Sequence, residues 1–134
     1  MENELIKYSL VIQTFEDILL ARRKARDFME EYHFTTLDQT KFITALSELL
    51  RNVIIHAKEG SMHLNVFKES GKCGIKCTIS DHGPGINDIN LAMKEGYSTV
   101  GSLGLGLGGA KNLSDAFNIT SGATGTKIEI LKWQ

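Results

Sequence analysis

Glu48 and Asn52 place an acid and an amide four residues apart in a stretch whose neighbours Leu46, Leu49, Leu50, Val53 and Ile54 are apolar. On a helix, positions i and i+4 share a face, so both polar groups project together. A buried polar group without a partner costs about 1–3 kcal/mol, so such a pair needs something to bind. An amide oxygen suits a hard cation, and a carboxylate one turn away is placed to act as a base. The plain alternative is a polar pair on a solvated stripe.

Asp81-His82-Gly83-Pro84-Gly85 is the second constellation, and it contains the only proline of the chain. It follows directly on an apolar alternating run, so Asp81 stands at a strand end. Held by Gly83-Pro84-Gly85, its carboxylate is placed to accept from a ligand's exocyclic amine, and Gly85 lets the backbone approach a flat ring. A strand-exit turn closed by an Asx-type hydrogen bond has the same composition.

The third is the segment from Gly96 to Gly109, which holds six of the thirteen glycines in fourteen residues. Gly101, Gly104, Gly106 and Gly108 leave backbone N–H groups accessible, and a helix opening directly after them adds its own, which together make a phosphate cradle. No Gly-Lys-Ser/Thr follows, so this is not a Walker A loop. The GxGxxG match of Gly104, Gly106 and Gly109 is weak, because no strand leads into it and too little chain follows for a dinucleotide domain. A flexible linker would be polar, whereas Leu103, Leu105 and Leu107 alternate here with glycine, as suits a lid that packs when closed.

These groups need a scaffold. Leu5–Gln13 reads as a strand, and residues 16–32 carry apolar side chains at helical spacing. Thr36 with Gln39 resembles a capping box opening a second helix to about Ala57, stopped by Gly60. Strands follow at 61–68 and 74–80 around a Ser70-Gly71-Lys72 turn. A short helix is expected over 88–95, another over 110–116, and strands over 118–121 and 126–133 around Ala123–Gly125. Helices early and turn-linked strands later make a single α+β domain over 1–134, a two-layer sandwich with a mixed, mostly antiparallel sheet covered by helices on one face.

Composition narrows the function. The 134 residues carry 42% apolar and 23% charged side chains with a formal charge of −1, the balance of one folded domain. That charge argues against nucleic acid or an acidic membrane as the main partner. The longest apolar run, Ile18–Ala21, is far short of the roughly 20 residues of a membrane helix. The start MENELIKYSL has no leader pattern. Cys73 and Cys77 lie on one face of one strand, too far apart to bond, and read as reduced core thiols of a cytoplasmic protein.

Taken in order, acid-plus-amide helix, strand-Asp-Gly-x-Gly and glycine lid, the three segments resemble the N, G1 and G2 boxes of the GHKL ATPases, which bind ATP in a Bergerat fold. The resemblance covers nearly the whole chain. SELLRN, DHGPGI, EGYSTVGSLGLGLGGAKNL and TKIEILKW look most like the small bacterial serine/threonine kinases of the anti-sigma-factor kinase family, in particular the switch kinase of the stressosome.

The resemblance implies that Asn52 holds Mg²⁺ against ATP phosphates and that Glu48 deprotonates a protein Ser or Thr. It implies that Asp81, Gly83, Gly85 and Thr126 form the adenine pocket, and that Gly101, Gly104, Gly106 and Gly108 donate to phosphate. Lys111, at the start of the following helix, is placed either to add positive charge there or to be a solvated surface lysine. The implied substrates are STAS-domain scaffold or antagonist proteins, with activation of a PP2C-type phosphatase on release. The alternatives are an anti-sigma factor kinase that binds a sigma factor directly, and a non-catalytic ATP-binding switch module. His56 reads as a helix-end residue, His82 as a loop residue, and Arg51 and Tyr97 as undecided.

Overall fold

The computed structural model describes residues 3–83 and 107–134. Thr14 starts the first helix: its hydroxyl accepts from Asp17 N–H, and the Asp17 carboxylate accepts from Thr14 N–H at 3.0 Å. This reciprocal capping box opens α1 (Phe15–Glu31), whose buried stripe is Ile18, Ala21, Ala25 and Met29. The second helix, α2 (Thr36–Asn52), is capped one residue earlier than expected, by Thr35, whose hydroxyl accepts from Asp38 N–H. Thr36 therefore makes no capping box with Gln39, whose side chain instead donates to the Phe34 carbonyl.

α2 is the central helix, and Phe42, Ile43, Ala45, Leu46, Leu49 and Leu50 are all buried. It does not run as regular α-helix to Ala57. From Val53 to Ala57 the chain widens into one π-helical turn, ended by Lys58 at φ +68° rather than by Gly60, which begins the next strand. The third helix, α3 (Leu107–Leu113), starts three residues before the expected position and packs on α2.

Five strands form the other layer: β1 (Asn3–Ile12), β2 (Gly60–Glu69), β3 (Lys72–Asp81), β4 (Ala116–Gly122) and β5 (Gly125–Trp133). Their order is β1-β2-β3-β5-β4, and every described pairing is antiparallel, within the mixed, mostly antiparallel sheet that the sequence suggests. Short turns explain this: Ser70 and Gly71, both at positive φ, join β2 to β3, and Ala123-Thr124 joins β4 to β5. Side chains alternate across the strands. Met62, Leu64, Val66, Ile75, Cys77, Ile79, Ile128 and Ile130 are buried in the core that the helices cover. Each such side chain contributes about 1.5–3 kcal/mol by leaving water. Cys73 and Cys77 are free and buried, and burial drives the Cys77 thiol far up.

The other sheet face is largely polar. Ser9 and His63 share a hydrogen bond of 2.7 Å there, and Phe67 lies over Gly74 with its ring edge-on to Trp133.

Candidate functional site

One cross-strand row builds the end of the sheet. Ile12 pairs with Gly60, Gly60 with Asp81, Asp81 with Thr126 and Thr126 with Ser121. The same parity along each strand leads to Met62, Ile79 and Ile128 in the core, so Asp81, Thr126 and Ser121 leave the sheet on its helix-covered side. Asp81 Oδ1 accepts from Gly83 N–H at 2.9 Å and from Thr126 N–H at 3.3 Å. The Asx-type turn is therefore present, and it serves the carboxylate rather than competing with it: two donors fix the side chain and, among the described residues, leave Oδ2 for a ligand. The Ser121 and Thr126 hydroxyls lie 2.8 Å apart.

Three glycines allow the backbone to close around this row. A Cβ on Gly125, at φ +143°, would stand 2.0 Å from the Asp81 carbonyl oxygen. On Gly60 it would meet Ser80 O at 2.6 Å and Val53 Cγ1 at 2.7 Å, and on Gly83 it would meet Ala57 Cβ at 2.7 Å. Val53 and Ala57 begin and end the π turn. The extra residue that this turn accommodates thus presses the end of α2 against the Asp81 end of the sheet.

Glu48 and Asn52 lie on the last turns of α2, both partly buried. Glu48 Oε1 accepts from the Arg51 guanidinium at 3.0 Å, and the two side chains are 32% and 47% exposed. An ion pair that open to solvent is worth about 0–1 kcal/mol, so the carboxylate is easily released to another partner. Asn52 leads directly into the π turn. Among the described residues no three His, Cys, Asp or Glu side chains converge on a metal position. A cavity of about 320 Å³ also opens at this end, but Val11, Ser61 and Ser80 place it toward the open face, away from Asp81 and Thr126.

Residues 13–132 match the family model of the histidine kinase-like ATPase domain. The chain belongs to that family. It is 43% identical over 123 residues to the serine/threonine-protein kinase RsbT of Bacillus subtilis, covering 91% of this chain and 92% of RsbT. It is 34% identical over 106 residues to an anti-sigma F factor of Anoxybacillus flavithermus, covering 72% and 71% of the two chains. A crystal structure of the RsbU and RsbW domains of a Mycobacterium tuberculosis protein superposes with a TM-score of 0.67 over 97% of this chain and 33% of that one, at 17% identity. The α+β sandwich is that of the histidine kinase-like ATPases.

The residues of this histidine kinase-like ATPase domain fit a nucleotide. An oriented carboxylate acceptor, flanked by a hydroxyl pair and by backbone where a Cβ would intrude, suits the amine-bearing edge of a purine. A single amide oxygen suits a Mg²⁺ ion whose other ligands are phosphate and water. Asp81, Gly83 and Thr126 come together at one point, and the π turn that follows Asn52 abuts this end of the sheet through Val53 and Ala57. Gly108 is buried in the first turn of α3, and Lys111 is exposed farther along it. Gly85, Gly101, Gly104, Gly106, Tyr97 and the expected 88–95 helix lie outside the described residues. His82 is exposed in the loop, as expected, and His56 sits in the π turn. Ser121, Gly60 and the Arg51–Glu48 pair were missed from sequence. For Ser121 a signal existed, since a two-residue turn places it directly opposite Thr126.

Proposed function

We propose that this chain is a single-domain, ATP- and Mg²⁺-dependent protein serine/threonine kinase that works by partner switching in the cytoplasm. Its proposed substrates are STAS-domain scaffold or antagonist proteins, and a PP2C-type phosphatase is its proposed target on release. The observation that carries the reading is the presence of both Glu48 and Asn52 at the end of α2, whose π turn packs against the strand ends that carry Asp81, in a chain so similar to RsbT.

ATP supplies the transferable phosphoryl group and Mg²⁺ neutralises its phosphates, so the protein's task is chiefly positioning and charge placement. Asp81, through Oδ2, holds the base. Asn52 holds the metal through its amide oxygen. Gly101, Gly104, Gly106 and Gly108 hold the phosphates through their backbone N–H groups, and Lys111 adds positive charge near them. Glu48, leaving Arg51, accepts the proton of the substrate hydroxyl. No described helix is long and apolar enough to cross a membrane.

The likeness to an anti-sigma F factor favours a second reading, a kinase that also binds a sigma factor directly. Both readings are tested by phosphoryl transfer from labelled ATP to STAS-domain proteins of the same genome. Wild type is expected to label one on Ser or Thr, and Glu48→Ala to bind ATP while labelling none. Labelling that persists in Glu48→Ala removes Glu48 as the base. ATP binding with no transfer to any STAS-domain protein leaves a binding-only switch module.

A further inference from the structure

Thr126 carries one hydroxyl proton, and Ser121, 2.8 Å away, carries another, yet a single hydrogen bond joins them. Which hydroxyl donates decides what the site offers a base. If Thr126 donated to Ser121, it would present only a lone pair to the ligand. If Ser121 donates, the Thr126 proton is left for the ligand, and the site presents a donor beside the Asp81 acceptor. The row order favours Ser121 as the donor. Asp81 and Ser121 flank Thr126 on opposite sides, because Thr126 pairs with one on β3 and the other on β4. The Asp81 carboxylate is an acceptor only and already draws the Thr126 backbone N–H to Oδ1 at 3.3 Å. Its negative field orients the Thr126 O–H dipole toward the Asp81 side and its lone pair toward Ser121.

We infer that Ser121 is a specificity-determining positioning residue: by donating to Thr126 it fixes the Thr126 hydroxyl as a donor, and so selects adenine over 6-oxopurines. Adenine presents a ring-nitrogen acceptor next to an amine, the complement of a donor next to a carboxylate. A 6-oxopurine presents an N–H next to a carbonyl, the reverse order. Without Ser121 the Thr126 hydroxyl can rotate and accept from that N–H. The inference rests on the nucleotide-site reading above. Ser121 acts through Thr126 and belongs to an edge strand, apart from α2 and the chemistry there.

The test is calorimetric binding of ATP and inosine triphosphate to wild type, Ser121→Ala and Ser121→Thr, with circular dichroism as the check on folding. The contribution of Asp81 to discrimination is common to all three proteins and cancels. Ser121→Ala is expected to lower the ATP-to-inosine preference on the order of tenfold, the scale of one hydrogen bond. Ser121→Thr, which keeps the hydroxyl, is expected to restore it. In a phosphotransfer assay the change belongs in KM for ATP, with kcat unchanged. In a Thr126→Val background, Ser121→Ala is expected to add nothing. Strong ATP binding with the same preference in wild type and Ser121→Ala overturns the role of Ser121 alone. Failure of wild type to bind ATP overturns the nucleotide-site reading and this inference together.

Discussion

Gly125→Ala tests how tightly β5 must approach Asp81. The new Cβ would stand 2.0 Å from the Asp81 carbonyl oxygen and 3.0 Å from His82 Cα, both backbone atoms that no rotamer change can move. The residue would also be held at φ +143°, where side chains are rarely tolerated, at a cost of order 1–3 kcal/mol. Relief of the contact requires the start of β5 to leave β3, which breaks the bond from Thr126 N–H to Asp81, worth about 1.5–3 kcal/mol for a charged acceptor. The sum is about 2.5–6 kcal/mol, or a melting temperature lower by roughly 10–20 °C in a domain of this size. Urea unfolding measures it directly, and nucleotide binding should fall with it. Gly122→Ala, in the same hairpin with nothing within 4 Å of its Cβ, is the control, expected within about 0.5 kcal/mol of wild type. A Gly125→Ala protein within about 1 kcal/mol of wild type would refute the reasoning, because the strand end would then be free to yield.

Three further outcomes follow from the fold. In Gly74→Ala the new Cβ would lie 2.6 Å from Phe67 Cζ, displacing a ring that meets Trp133 at 5.2 Å, so stability should fall by about 1–3 kcal/mol. Trp133 is the only tryptophan, and an unchanged emission spectrum would contradict that displacement. Lys132, 9% exposed, reaches Asp115 at 3.2 Å and Asp38 at 3.6 Å, and joins α2 to β5 and the start of β4. Lys132→Met should cost about 1–3 kcal/mol in urea unfolding, less than a fully buried pair because Asp115 is partly solvated, and equal stability would show the bridge to be idle. The Gln13 and Thr14 N–H groups hold the Asp17 carboxyl below its ordinary 3.8. A depressed folded-state value means that its stabilisation is in place above about pH 4 and fades as pH falls through the lower value. Asp17→Ala should therefore lose less stability than wild type on acidification below about pH 4, and parallel curves would contradict the cap.

The helices and turns were legible where one local cause dominates. Apolar spacing marked α1 and α2, and Ser70-Gly71-Lys72 and Ala123–Gly125 marked two turns, each of which the structure tightens to a two-residue hairpin loop that dictates antiparallel pairing. The capping box was placed at Thr36 because Gln39 completes the familiar pattern, while the structure uses Thr14 with the shorter acid Asp17. α3 begins at Leu107 despite Gly108 and Gly109, since burial of Leu107 and Ala110 outweighs weak helix propensity. The π turn after Asn52 had no signature in VIIHA, because its cause is tertiary: Val53 and Ala57 abut Gly60 and Gly83, which lie in other parts of the chain. Asp81 was readable from its strand-end position, whereas the donors that fix it, Gly83 and Thr126, are two and forty-five residues away. Pairing across the sheet, not local sequence, brings Thr126 and Ser121 to it.

The most direct test of the account is calorimetric ATP binding, with and without Mg²⁺, to wild type and Asp81→Asn. The account predicts Mg²⁺-dependent binding by wild type and its loss in a folded Asp81→Asn protein, because an amide in that place supplies one acceptor where the carboxylate supplies two. Failure of folded wild type to bind millimolar ATP, or equal binding by Asp81→Asn, would contradict it.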